Sequence, residues 1–400
     1  MDIIYSLTYW LELLVFLYLG GASVYIFIFS IAGHFTAKKC CRIVNKKRTF
    51  SVLIPGYKED GVIVEVARRA LEQSYEATLF DVVVIADSFQ PITLEKLRRL
   101  PIKLIEVSFE KSTKSKALNA ALAQIGDDYE VALVLDADNV MEYDFIEKIN
   151  NAFDCGFKVV QGHRVAKNTN TSFAILDALS EEINNHIFRK GHRVLGLSSA
   201  LIGSGMAFDY QLFRKTMSEV EAVGGFDKEI ELKLLRDQIV IEYLPKAFIY
   251  DEKVQKSDVF ANQRKRWLAA QFIYFRHFVV SGLKELFLRG NIDFADKVYQ
   301  MIAPPRILLL GAVGFLACCY LLHDMLSLKW LQFSFFWWLL ALLGTALTFL
   351  LSIPKAYYSN NTFKALIQLP QAFWIMFISL FRLKGVNKKF IHTEHGTIET

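Results

Sequence analysis

The fold this sequence predicts is an α/β domain with a mostly parallel sheet, flanked by transmembrane and interfacial helices. Three observations predict it. Apolar and charged residues are segregated: the chain is 53% hydrophobic with 33 Phe, yet 22% charged, and the charge-poor stretches lie toward its ends. Across the middle, short apolar strands alternate with helix-period segments, the pattern of a parallel sheet covered on both faces. Polar residues then fall just past the strands, where such sheets bind ligands.

The first element is the apolar run from Tyr9 to Phe35, whose only charge is Glu12. It is long enough to cross a hydrocarbon core of about 30 Å. It is too long for a signal-peptide core and has no basic residues before it. Lys38, Lys39, Arg42, Lys46, Lys47 and Arg48 follow at once. By the positive-inside rule, that cluster puts the next domain in the cytoplasm.

From Thr49 to about Asp251, Ser51–Pro55, Asp81–Ala86, Lys103–Val107, Val131–Leu135 and Lys158–Gln161 read as strands. Val62–Gln73, Thr93–Leu100, Lys116–Ile125 and Tyr143–Phe153 read as helices. Beyond them, Met301–Leu322 and Trp330–Ile353 are long enough to span. Leu366–Phe381 is also apolar, but basic residues flank both its ends, which favours an amphipathic or re-entrant cytoplasmic-side helix over a fourth span. The chain therefore divides into a transmembrane helix with a basic juxtamembrane segment (1–48), an α/β domain (49–257), interfacial helices (258–297) and a C-terminal membrane region with a cytoplasmic tail (298–400). This organisation is that of a multi-pass integral membrane protein in contact with lipid. A bacterial inner membrane is the expected location.

The net charge of +5 is too mild for a nucleic-acid binder, and no basic stripe is interleaved with aromatics. The five cysteines, Cys40, Cys41, Cys155, Cys318 and Cys319, lack the two-residue gap of a zinc or redox motif. They read as structural or incidental, consistent with a reducing compartment.

The chemistry lies past the strands. Pro55-Gly56-Tyr57-Lys58-Glu59 follows the first, and Asp87 follows the second. Lys114-Ser115-Lys116-Ala117-Leu118-Asn119 opens the third helix, and Asp136-Ala137-Asp138 follows the fourth strand. Singly, each has a bland reading, such as a helix cap or a solvated lysine. Together at one end of a sheet they are far less easily coincidental. Strand alternation would aim the two carboxylates of Asp136 and Asp138 the same way, and unpaired like charges need a cation or donor between them. The set suits transfer from a diphosphate-activated donor. A divalent cation on hard oxygen ligands would neutralise the diphosphate, Asp87 would take the nucleoside, and the lysines would answer the phosphates.

These residues resemble the family 2 glycosyltransferases of the GT-A fold, in the membrane-integrated branch of cellulose, hyaluronan and poly-N-acetylglucosamine synthases. The resemblance covers roughly Ser51 to Trp267 and the flanking membrane segments. It implies that Asp87 contacts the nucleoside and that Asp136 and Asp138 hold Mg2+ or Mn2+ and the diphosphate. Pro55, Glu59, Lys114, Lys116 and Asn119 join the nucleotide-sugar side, with Ser115 where the family commonly has Gly. Gly203-Ser204-Gly205 looks like the glycine turn near the acceptor, where small residues permit close approach of a sugar. Gln263-Arg264-Lys265-Arg266-Trp267 matches the family's Gln-x-x-Arg-Trp and begins a helix running to about Val280. In the family, its Gln and Arg approach the diphosphate and its Trp lines the acceptor sugar.

One motif departs. Where the family has Thr-Glu-Asp before a helix, with the Asp as general base, this chain reads Gly224-Gly225-Phe226-Asp227-Lys228-Glu229-Ile230-Glu231-Leu232. Ile230-Glu231-Leu232 repeats the order that follows the base and puts Glu229 there, with Asp227 as the rival. The resemblance implies an inverting transfer from a nucleotide-diphosphate sugar, a UDP-sugar being the expected donor, to a membrane-associated saccharide in polysaccharide synthesis. Single-sugar transfer to a lipid-linked acceptor is the alternative. A non-catalytic scaffold with a degenerate domain is a third, weaker reading. The tail Phe390–His395 resembles a gating element that closes over the nucleotide.

Overall fold

The computed structural model describes residues 2–37, 45–221, 224–255, 257–328 and 330–383. Lys38, Lys39, Cys40, Cys41 and Arg42 of the juxtamembrane segment, and the tail that includes Phe390–His395, lie outside the described residues.

Helix α1 (Asp2–Ala32) comes first, followed by β1 (Phe50–Tyr57), α2 (Ile63–Leu71), β2 (Phe80–Asp87), α3 (Pro91–Arg98), β3 (Lys103–Val107) and α4 (Lys114–Leu122). The domain continues through β4 (Val131–Val134), β5 (Val140–Met141), α5 (Phe145–Asp154), β6 (Val159–Ala166) and α6 (Ser172–Asn184). A π-helical turn, Asn185–Gly191, leads into α7 (His192–Val194). Then come β7 (Met206–Asp209), α8 (Tyr210–Ser218), α9 (Phe226–Arg236) and β8 (Ile241–Asp251). The apolar C-terminal half contains α10 (Ser257–Arg289), α11 (Ile292–Ile302), α12 (Arg306–Met325), α13 (Phe335–Ser352), α14 (Asn360–Leu366) and α15 (Leu369–Leu380).

The eight strands form one sheet in the order β3-β2-β1-β4-β7-β6-β8-β5. β1 pairs in parallel with β2 and β4, β2 with β3, and β6 with β8. β7 runs antiparallel between β4 and β6, so those two also point the same way. The carboxyl ends of β1, β2, β4, β6 and β8 therefore share one edge, which is what gathers the site. Both faces are covered. Leu53, Val83 and Ile85 enter one core, while Val52, Ile54, Val82 and Val84 enter the other, so these strands read as continuous apolar runs.

Every strand and helix expected before residue 161 is present, with ends shifted by a few residues. The later departures have local causes. The first apolar helix after the domain begins at Arg306 rather than Met301, because Pro304-Pro305 interrupts the helix and leaves Met301 on α11. The next begins at Phe335, where the Ser334 hydroxyl accepts from Phe336 N at 3.2 Å and caps the helix. Helix α10 runs on to Arg289, well past Val280.

Among the described residues, Tyr5–Ala32, Arg306–Met325 and Phe335–Ser352 are long and apolar enough to cross a membrane. α14 and α15 are bent 42° from each other, which is the geometry of a broken span or a re-entrant loop. Polar contacts join α1 to α13: Thr345 donates to Ser23 at 2.9 Å, and the Ser30 and Ser352 hydroxyls lie 3.1 Å apart. Such contacts and small residues hold apolar helices together where the hydrophobic effect does not. Glu12, the only charge of α1 beyond Asp2, accepts from Gln332 N at 3.0 Å and Phe333 N at 2.7 Å. Cys155 is disulfide-bonded, and Cys318 and Cys319 are free.

α1 docks on the domain where a Cβ on Gly191 would meet Phe29 O at 2.2 Å. Ala in place of Gly in a helical turn gains about 1 kcal/mol of propensity, but overpacking against backbone costs about 3 kcal/mol. Gly191→Ala is therefore expected to destabilise the detergent-solubilised protein by about 2 kcal/mol. An unchanged thermal midpoint would contradict this packing.

Candidate active site

The carboxyl edge of the sheet opens into a cleft of about 240 Å³. It unites nine of the residues singled out from the sequence: Pro55, Glu59, Asp87, Lys114, Asp136, Asp138, Gln263, Arg266 and Trp267. They arrive from the ends of β1 and β2, the start of α4, the turn after β4, and α10.

Asp87 is the last residue of β2 and is 2% exposed. Its Oδ1 accepts from the Ser88 hydroxyl at 2.9 Å, and its carbonyl accepts from Lys58 N at 3.1 Å. Asp136-Ala137-Asp138 lies in a turn beyond β4, so strand alternation is not what aims its carboxylates. The turn is set by Asn139 N donating to Asp136 O at 3.1 Å and by Asp136 N donating to the Ser204 hydroxyl at 2.9 Å. Asp138 accepts from Asn139 Nδ2 at 3.1 Å. Lys114 Nζ forms an ion pair with Asp136 and donates to Gly203 O at 2.7 Å.

Gly203-Ser204-Gly205 therefore braces the Asp136–Asp138 turn rather than lining the cleft. Gly203 and Gly205 have φ of 81° and 61°, and Gly205 N donates to Val134 O at 2.8 Å. Only glycine adopts these conformations without strain. Lys116 and Asn119 also do not line the cleft. Lys116 is exposed and donates to Lys111 O at 3.0 Å, while Asn119 ties α4 to Met217 O at 3.0 Å.

Neither candidate base lines the cleft, and the two face different neighbours. Gly225, at φ 68°, starts α9 so that Asp227 falls in its first turn beside the glycine loop: a Cβ on Gly203 would lie 3.9 Å from Asp227 Cγ. Burial raises the Asp227 carboxyl above the usual range; Lys228 and Lys114 oppose the shift, and Glu231 adds to it. Glu229 faces elsewhere. It pairs with Lys233 at 3.0 Å, accepts weakly from Glu221 N at 3.5 Å, and adjoins the Tyr274 phenol.

Gln263, Arg266 and Trp267 occupy one face of α10, and Trp267 is 42% exposed. Arg264 stacks over the Trp267 ring at 4.4 Å and holds Asp177, which also lines the cleft, at 2.6 Å. Gln263 Oε1 is buried without a hydrogen-bond partner, an orphaned acceptor that a ligand's hydroxyl would satisfy. Burial pushes the Arg266 guanidinium down, so an anion in the cleft would relieve it.

The opposite wall was not anticipated. Arg164, Asp177, Glu181, Asp251, Glu252 and Lys253 come from β6, α6 and the end of β8. Burial alone would raise the Glu181 carboxyl, but Arg164 and Arg189 hold it well below the usual range. Asp251 closes β8 as Asp87 closes β2, so the strand-end rule that found one would have found the other.

Asp136 and Asp138 offer hard oxygens. Among the described residues, no group of three or more His, Cys, Asp or Glu gathers into a metal cage. Two carboxylates with room for substrate oxygens are the donor set that suits Mg2+ or Mn2+ shared with a phosphate.

Residues 47–270 match the family described as Glycosyltransferase like family 2. No curated protein matches the chain significantly in sequence. Among solved structures, the chain is similar to a mannosyltransferase from Pyrobaculum calidifontis in complex with GDP-Man and Mn2+. Identity is 15% and the TM-score 0.48, over 87% of this chain and 99% of that one. TarS of S. aureus aligns at 19% identity and TM-score 0.35, over 60% and 45% of the two chains. Glucosyl-3-phosphoglycerate synthase of Mycobacterium tuberculosis, with Mn2+ and UDP, aligns at 15% identity and TM-score 0.37, over 54% and 75%.

Proposed function

The chain belongs to the glycosyltransferase-like family 2, and from that premise we propose that it transfers a sugar with inversion from a nucleotide-diphosphate sugar to a membrane-associated saccharide. The observation that carries this reading is the cleft uniting Asp87, Lys114, Asp136, Asp138, Gln263, Arg266 and Trp267. The three apolar helices support placement in a membrane, and the basic cluster after the first of them in the sequence, Lys38 to Arg48, favours the cytoplasmic side for the transferase domain.

Asp87 binds the nucleoside, and Lys114, Gln263 and Arg266 receive the diphosphate. Asp136 and Asp138 would hold the divalent cation, which when bound neutralises the departing diphosphate. The acceptor hydroxyl oxygen forms a bond to the anomeric carbon as the bond from that carbon to the diphosphate oxygen breaks. The hydroxyl proton passes to a carboxylate. The placement of Asp227 beside the glycine loop favours it over Glu229 for this role, since a base must come within hydrogen-bond reach of the proton it takes. Lys114 shifts from Asp136 toward phosphate as the diphosphate enters.

Trp267 presents a flat face to the acceptor sugar. Trp267→Ala is expected to raise the acceptor KM about tenfold, in line with an aromatic contact of ~1.4 kcal/mol, and to leave the donor KM unchanged. An equal rise in donor KM would reassign Trp267 to the nucleotide side.

Single-sugar transfer to a lipid acceptor is the second reading. After the domain, the described residues hold two apolar helices and one bent pair, a set that suits presentation of a single lipid acceptor. Product length after incubation with one labelled nucleotide-sugar separates the two. A ladder of products supports polymer synthesis, and a single glycolipid supports the second reading. The absence of any labelled product would remove both.

A further inference from the structure

Behind α9, away from the cleft, two side chains are 0% exposed yet charged: Glu231 on α9 and Lys297 on α11. Their ion pair is 2.7 Å long. It lies among Leu232, Leu235, Phe294, Val298 and Met301. Apolar residues of similar volume would serve stability there as well or better, so the pair calls for a reason other than stability.

Glu231 also holds Lys228 at 3.0 Å, and the same Lys228 Nζ donates to Leu201 O at 3.0 Å. Leu201 leads into the Gly203 loop that faces Asp227, and Asp227 is the chain neighbour of Lys228. A continuous polar chain thus runs from α11 through Glu231 and Lys228 to the loop and first helical turn that carry the proposed base.

On its other side, α11 is fastened to α1. Asp296 accepts from the Tyr25 hydroxyl at 2.7 Å. Gln300 donates to Asp296 at 2.8 Å, and its Nε2 lies 3.0 Å from His192 Nε2. Lys297 Nζ donates to Gln300 Oε1 at 3.1 Å.

We propose that Lys297 is a positioning residue for transfer. Anchored through α11 to α1, it holds Glu231, and through Lys228 it sets the orientation of the first turn of α9 against the Gly203 loop. This rests on the reading of Asp227 as base. Sub-ångström placement of a catalytic group matters at this scale, since a displacement of about 1 Å can cost about 100-fold in rate.

The test uses the full chain in detergent. Nucleoside diphosphate release is followed from UDP-glucose, UDP-N-acetylglucosamine and GDP-mannose, with Mn2+ present. Kinetics continue with whichever donor the wild type turns over. Lys297→Met and Glu231→Gln are each expected to lower kcat by about tenfold or more, with donor KM within about twofold. Each is also expected to lower the thermal midpoint: Glu231→Gln leaves buried Lys297 without its carboxylate, and Lys297→Met leaves buried Glu231 with the partly exposed Lys228 alone. The double variant Lys297→Met/Glu231→Gln discriminates. With neither charge left it should recover thermal stability, yet its kcat stays low because Lys228 has lost its anchor.

If kcat recovers together with stability in the double variant, the role is structural and the inference is overturned. A normal kcat in either folded single variant overturns it as well. If one single variant does not fold, the other and the double variant decide. Asp227→Asn separates this inference from the reading beneath it. Retained transfer in Asp227→Asn, or no turnover of any donor by the wild type, removes that reading. An inactive Asp227→Asn beside a normal Lys297→Met removes the positioning role alone.

Discussion

Replacing Asp138 by Ala is expected to reduce transfer by about 10³-fold or more, the scale of losing an electrostatic stabiliser of the leaving group. Asp138 is 6% exposed and lines the cleft, and its backbone carbonyl accepts from Lys167 Nζ. That backbone contact survives the substitution, as does the turn hydrogen bond from Asn139 N to Asp136 O at 3.1 Å. The variant should therefore fold. Lys114 pairs with Asp136, so Asp136→Ala removes a carboxylate and frees a cation for the phosphates. Its deficit is expected to be smaller. Initial rates of nucleoside diphosphate release, measured beside thermal midpoints, check both. A folded Asp138→Ala variant with near-normal rates would contradict the assignment of the metal side.

Asp227→Asn is expected to lower kcat by about 10²–10⁴-fold, the range for losing a general base. Glu229→Gln is expected to stay within severalfold of wild type, because Glu229 is engaged with Lys233 at 3.0 Å. The pH profile carries a second signature. Burial raises the Asp227 carboxyl, with Lys228 and Lys114 opposing and Glu231 reinforcing. A base works ionised, so kcat should fall as pH drops through that raised value, above the ordinary aspartate value of about 3.9.

The stability sign follows from the same shift. A carboxyl whose folded pKa is raised gives stability that is fully present below the unfolded pKa and lost as pH rises through the folded one. At neutral pH, ionised Asp227 therefore weighs against folding, and Asp227→Asn should melt no lower than wild type. A dead but well-folded Asp227→Asn beside an active Glu229→Gln is the expected pair of results. The reverse pair would return the role to Glu229.

That choice marks how far the sequence is legible. The strands up to Gln161 are visible because each is an apolar run ending in a polar residue, and the shared edge follows once they are parallel. Asp87, Asp136 and Asp138 are legible that way, Lys114 by its place at the start of the third helix, and the structure brings the four together. Choosing between Asp227 and Glu229 required the phase of a helix. Two residues along α9 is a rotation of about 200°, and the phase is set by Gly225 at φ 68°, which fixes where the helix starts. Motif order puts Glu229 at the base because Ile230-Glu231-Leu232 repeats the order that follows it, and no periodicity shows which acid then faces the glycine loop.

Lys116 was grouped with Lys114 by proximity in sequence. The helix carries Lys116 round to solvent, while Lys114 at its first turn points into the cleft. The wall formed by Arg164, Asp177, Glu181 and Asp251 escaped notice because its charges are spread over β6, α6 and β8, with no short motif to join them. Lys297 was equally hidden. In sequence it is one lysine on an interfacial helix, and only the packing of α11 against α9 turns it into a buried partner of Glu231.

The most direct test of the central claim is the metal dependence of donor turnover. Purified protein is incubated with nucleotide-diphosphate sugars and Mn2+, and nucleoside diphosphate release is measured before and after chelation. The expected result is release from at least one donor that is lost on chelation and restored by added Mn2+ or Mg2+. Release that continues undiminished in a chelator, or none from any donor by folded wild-type protein, would contradict it.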